Sequence, residues 1–196
     1  MKQKLLVAAL ALTLVLCIAM GVTLAWLTAR TQSITNVFTF GNVTLTLEET
    51  TGTDYKGTPG GTMPKDPTIT VKAGSEDCYV FVKIEESGDD VVNWAIAEGW
   101  TELSIDAGTS IYYREYSSTE FVDEETVKKD QDEAYAVLLD NEVTFESGAD
   151  SSSQASMTIT AYACQKHADI AGAAAAWDLV KDLEAPETDP PADPEP

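Results

Sequence analysis

Histidine and positive charge are what this 196-residue chain has least of. It carries a single histidine, His167, and 12 basic side chains against 33 acidic ones, for a formal net charge of −21. One histidine cannot supply the paired zinc ligands of an H-E-x-x-H helix. It also leaves a single base for any Ser-His-Asp or Cys-His arrangement, and no nucleophile motif accompanies it. His167 therefore reads as a surface residue, and the chain as a non-enzyme. The shortage of Lys and Arg excludes nucleic acid as a partner, because so acidic a surface repels phosphates. Cysteine is also scarce, at three residues. Cys17 lies in the N-terminal apolar run, which leaves Cys78 and Cys164 as an even pair.

What is present begins with an export pattern. Lys2 and Lys4 precede an apolar run from Leu5 to Leu27 that only Thr13, Gly21 and Thr23 interrupt. A basic start, an apolar core and small residues near Ala25 to Ala29 make a secretory signal. The same run is long enough to span a bilayer if it is not removed. Charge asymmetry places everything from Arg30 onward outside the cytoplasm in either case. Residues 1–28 are thus assigned to a signal peptide or membrane segment, the only membrane contact expected. Residues 29–183 are assigned to one domain. Residues 184–196 form an acidic, proline-rich tail that cannot bury a core and is expected to be disordered.

The domain has strand texture. Val43, Leu45 and Leu47 alternate with polar residues, and Phe38 and Phe40 sit on the opposite parity, which calls for a kink at Gly41. Residues 50–66, with four glycines and two prolines, read as a loop. Ile69 and Val71 mark the next strand. Cys78, Val80, Val82 and Ile84 form an apolar stripe with Tyr79 and Phe81 on the reverse side. Short strands follow within 91–103 and over 111–116, then a polar, acidic loop over 117–133. Apolar stretches at 135–139 and 143–145 flank a turn at Asp140-Asn141. Met157, Ile159, Ala161 and Ala163 alternate with Thr158, Thr160 and Tyr162. An alanine-rich stretch from about Asp169 to Leu183 predicts a helix packing Trp177 and Val180 on the strands. Roughly eight strands, glycine-rich turns and one helix predict an all-β, jelly-roll-like antiparallel sandwich with a short C-terminal helix.

Three stretches resemble the TasA/camelysin family of Gram-positive bacteria. The apolar segment runs through Ala25-Trp26-Leu27-Thr28 towards Asn36-Val37-Phe38-Thr39-Phe40-Gly41-Asn42-Val43. Lys65-Asp66-Pro67-Thr68-Ile69-Thr70-Val71 leads to Asp77-Cys78-Tyr79-Val80-Phe81-Val82-Lys83. Ile159-Thr160-Ala161-Tyr162-Ala163-Cys164 precedes the alanine-rich helix. The resemblance implies a secreted biofilm-matrix or surface fibre subunit, exported through a dedicated signal peptidase. It also implies self-association, in which an N-terminal segment completes a sheet of the next subunit. The donor would run from about Thr28 to Phe38, with Ile34, Val37 and Phe38 as candidate contacts. The acidic tail and the weakly acidic segment after Ala29 depart from the family pattern.

Two expectations rest on the residues alone. Cys78 starts one strand and Cys164 ends another, so antiparallel pairing could join them in a disulfide worth about 4 kcal/mol. Their opposite parity argues against it. The acidic groups at Asp89-Asp90, Asp123-Glu124-Glu125 and Asp130-Asp132-Glu133 read as solvated loop charge. Weak Ca²⁺ association is the only cofactor left open. The rival functional reading is an extracellular module binding carbohydrate or a host surface through Trp94, Trp100 and Tyr112 or Tyr113.

Overall fold

The apolar stripe Cys78, Val80, Val82 and Ile84 forms the centre of the molecule, each residue fully buried. A computed structural model of the chain describes residues 27–30, 36–51, 54–106, 108–122, 125–149 and 153–183. Residues 1–26, assigned above to a signal peptide or membrane segment, and residues 184–196 lie outside these residues.

In chain order the strands are β1 (Leu27–Arg30), β2 (Asn36–Phe40), β3 (Leu45–Glu48), β4 (Asp54–Gly57) and β5 (Thr62–Pro64). Next come β6 (Thr68–Val71), β7 (Cys78–Gly88), β8 (Val92–Asn93), β9 (Thr101–Asp106) and β10 (Thr109–Tyr116). Then follow β11 (Thr119–Val122), β12 (Glu125–Lys128), β13 (Glu133–Ala136), β14 (Glu142–Phe145) and β15 (Ala155–Gln165), and the helix α1 (Ala173–Val180). The fold is an all-β sandwich with one short C-terminal helix, as the strand texture predicts.

One layer is a five-stranded sheet in the order β2-β15-β7-β10-β9. The other contains β13-β6-β3 and β5-β14-β8. Segments around Ile96 and Leu138 link those two groups through a bridge and the bonds Ala97 N–H to Val137 O and Leu139 N–H to Ala95 O. Leu45, Leu47, Ile69, Val71, Val143 and Phe145 from this layer meet Val80, Val82, Ile84, Met157 and Ile159 from the first in one core. The strand period of two sends alternate residues of β7 and β15 to the reverse face. There Phe81, Tyr162 and Cys164 pack under α1 with Ala176 and Val180. Trp177 stacks obliquely on Phe81 at 5.4 Å and edge-on to Tyr162 at 5.0 Å. The helix is shorter than the alanine-rich stretch, because Gly172 at φ 92° delays its start.

Two expectations need correction. Residues 50–66 are not simply a loop, since they hold β4, paired with β1, and β5, paired with β14. The acidic stretch 117–133 holds the hairpin β11–β12. Neither stretch carries a full apolar alternation, and β5, β11 and β12 are mostly exposed. Pairing rather than burial defines them.

The bulge or kink expected at Gly41 to turn both Phe40 and Val43 to the core is instead a change of layer that leaves Phe40 exposed. β2 belongs to the five-stranded sheet and β3 to the facing one. Gly41 turns between them at φ 96°, and a Cβ there would lie 2.5 Å from Gln165 Oε1. That oxygen accepts the Asn42 N–H at 3.0 Å and ties the crossing to β15. Gly41→Ala is expected to lower unfolding stability by about 1–3 kcal/mol through left-handed strain, read as a shifted urea midpoint at unchanged slope.

Candidate functional site

The layer change at Gly41 makes β2 and β3, successive in sequence, the edge strands of facing sheets. An open groove of about 520 Å³ runs along β3, lined by Val37, Leu45, Leu47, Glu48 and Thr50. An edge strand presents backbone donors and acceptors to whatever lies beside it, so such a groove can take up an added strand.

The donor residues fall in two strands that pair within the chain. Thr28 lies in β1, opposite Lys56 of β4. Val37 and Phe38 lie in β2, opposite Ala161 and Tyr162 of β15. Val37 is half-buried against the main core. Ile34 lies outside the described residues. The N-terminal segment thus occupies its own sheet in the isolated chain. The β2–β15 pairing is parallel, and among the described strands the other pairings are antiparallel. Parallel pairs are slightly weaker per residue, and Phe40 at the end of β2 is 48% exposed.

At the end of β3 the groove reaches Glu49, which meets Lys65. Their side chains are 4% and 0% exposed. Lys65 Nζ donates to both Glu49 oxygens, at 2.9 and 3.1 Å. Burial pushes the lysine below its ordinary pKa, while Glu49 pulls it back up. Asp66 sits beside this pair. Its carboxylate accepts the backbone N–H groups of Thr50 and Thr51 at 2.9 and 3.0 Å, and both threonine hydroxyls. Burial opposes its ionisation, but these donors together outweigh burial and hold it at about 2. Sequence reasoning missed the pair. Lys65 follows Met63-Pro64 in a polar, glycine-rich stretch, and nothing local marks it as buried.

The cysteine bridge is not formed, and the reason is geometric. Both thiols are free and buried. Cys164 stands opposite Tyr79 and Cys78 opposite Gln165, so the two side chains leave the sheet on opposite faces. Cys78 sits in the main core and Cys164 under the helix. Burial raises the Cys78 thiol to about 12 and raises Cys164 as well, which keeps both protonated and unreactive.

The aromatic residues do not form one exposed face. Trp100 is buried and donates to Ala136 O at 2.8 Å. The Arg114 guanidinium lies 3.6 Å from the centre of the Tyr135 ring and 5.4 Å from that of Trp100. Tyr113 packs with Tyr79 and Phe81 on the helix side. Trp94 meets the buried Tyr112 edge-on at 6.3 Å and donates to Glu86 at 2.9 Å, beside an open depression of about 280 Å³.

His167 is exposed and has Asp169 at 3.2 Å, with no nucleophile beside it in these contacts. Asp132 accepts Lys72 and the Ala73 N–H, and Glu133 accepts Lys129. Among the described residues, no three His, Cys, Asp or Glu side chains come together as metal ligands. No described helix is long and apolar enough to cross a membrane. Comparison with family models and with curated proteins gives no match to this chain.

Two outcomes follow from these contacts. Equal numbers of thiols should titrate in denaturant with and without prior reduction, since the buried cysteines stay unbridged. Asp66 ionises more readily folded than unfolded, so its contribution is present above pH 3.8 and fades as pH falls towards 2. Asp66→Asn should therefore flatten the acid limb of the stability profile in that window, read by thermal melting at successive pH values.

Proposed function

We propose that this protein is an exported structural subunit of a bacterial surface or biofilm matrix, assembling by exchange of its N-terminal strands. The observation that carries the reading is the short parallel edge strand β2, set beside the open groove along β3. A strand held by one parallel edge pairing loses little when it leaves, and an incoming segment of another copy can restore the same sheet hydrogen bonds. The donor would be residues 28–40, with Val37 and Phe38 exchanging their places opposite Ala161 and Tyr162. Closed exchange would give dimers, and open exchange a filament. The basic start and apolar run of residues 1–28 support export, and the resemblance to the TasA/camelysin family supports a matrix role. The net charge of −21 favours solubility before assembly. A glycan-binding module, the alternative, would rest on Trp94 and the buried Tyr112, the aromatics that line an open depression.

The test compares protein beginning at Thr28 with protein beginning at Gly41, which lacks β1 and β2, by electron microscopy and light scattering. The longer form is expected to grow filaments and the shorter to stay monomeric. A free peptide of residues 28–40 in excess should cap growth of the longer form. Equal behaviour of both forms, with no effect of the peptide, would sink the strand-exchange mechanism.

A further inference from the structure

Lys65 and Glu49 place an amine against a carboxyl inside the domain, with Nζ 2.9 and 3.1 Å from the two carboxylate oxygens. The contact is fixed by register rather than by a flexible reach. Glu49 directly follows β3 and Lys65 precedes β6, and those strands pair with Glu48 opposite Thr68. Both side chains are withdrawn from water, at 4% and 0% exposure. Two buried charges are costly even when paired, because the attraction only partly repays the lost hydration. Burial already drives the lysine towards its neutral form. Passing one proton from the ammonium to the carboxylate gives a free amine beside a carboxylic acid, the two partners of an amide condensation. The Thr51 hydroxyl lies 2.9 Å from Asp66 Oδ1 and 3.2 Å from Glu49 Oε1, so its single proton, given to Asp66, is within reach of the Glu49 carboxyl oxygen by rotation of the hydroxyl.

We propose that Lys65 and Glu49 join spontaneously in a side-chain amide bond. The Nζ lone pair attacks Cδ of the protonated Glu49 carboxyl and forms the N–C bond. The Thr51 hydroxyl turns from Asp66 and donates to the oxygen that gains negative charge. One Nζ proton passes to the other oxygen, the C–O bond breaks, and one water leaves. No oxidant, nucleotide or second protein takes part. Fixed proximity replaces the activation that the free amine and acid would need in water. The product removes both buried charges and closes the segment between Glu49 and Lys65, which carries β4 and β5. It would fasten that segment to the sandwich while leaving β1 and β2 free to exchange. The bond is independent of the assembly proposed above and can be read on a chain that never forms filaments.

The experiment is mass spectrometry of the folded, purified chain, intact and after denaturation and trypsin digestion. The expected intact mass is one water below that of the sequence present. The expected digest contains residues 31–56 joined to 57–72, one water lighter than their sum, because an amidated Lys65 resists cleavage. Lys65→Arg keeps the positive charge but should restore the full mass in a chain whose folding is verified by circular dichroism. A wild-type chain at full mass, releasing separate peptides 31–56 and 57–65, overturns the proposal. A water loss that persists in Lys65→Arg overturns it as well, since the loss then lies elsewhere.

Discussion

The antiparallel pairing of β7 with β15 is the constraint on which the rest of the fold depends. The two strands of eleven residues each stay in register from Cys78 opposite Gln165 to Gly88 opposite Ala155. Both of their faces are covered. Val80, Val82, Ile84, Met157 and Ile159 meet the second layer, and Phe81, Tyr162 and Cys164 meet the helix. A slip of one residue would turn every apolar side chain to the wrong face. It would move Phe81 into the space of Val80 and lose the Trp177 contacts. β2 and β10 then attach to the outer sides of this pair, and the helix has a place to dock only because the pair presents aromatic residues on its reverse face.

The same centre keeps the two cysteines apart. A strand pair with two buried faces sends neighbouring positions in opposite directions, so Cys78 and Cys164 end near each other in register and apart in space. Burial then raises both thiols and keeps them protonated. The strand edges and the ends of loops lie at the margins of the molecule. There β2 is held by a parallel pairing, β3 borders a groove, and the Lys65–Glu49 pair closes the base of the segment that β1 leans on. Exchange at β1 and β2 would leave the β7–β15 centre untouched, which is what a subunit that must stay folded while joining neighbours requires.

Much of the sandwich was legible in residue order. The parity of Cys78 to Ile84 and of Met157 to Ala163 predicts which side chains enter the core, because a half-buried strand writes its face into alternate positions. The phase change between Phe40 and Val43 predicts a break at Gly41, and the break proves to be the crossing from one layer to the other. Trp177 and Val180 read correctly as the docking face of the helix. β4, β5, β11 and β12 left no such trace. The side chains of β5, β11 and β12 bury little, all four sequences carry loop composition, and strand partners rather than apolar alternation make them strands.

The sequence by itself determined the class of fold, the faces of the long strands, the acidic charge and the single histidine. These are local quantities, set by composition and by a period of two. Tertiary structure alone decided that β2 runs parallel to β15 and that Lys65 meets Glu49 out of water. Each depends on which distant strand lies alongside. No local pattern encodes that, because the choice is made by the whole core closing at once.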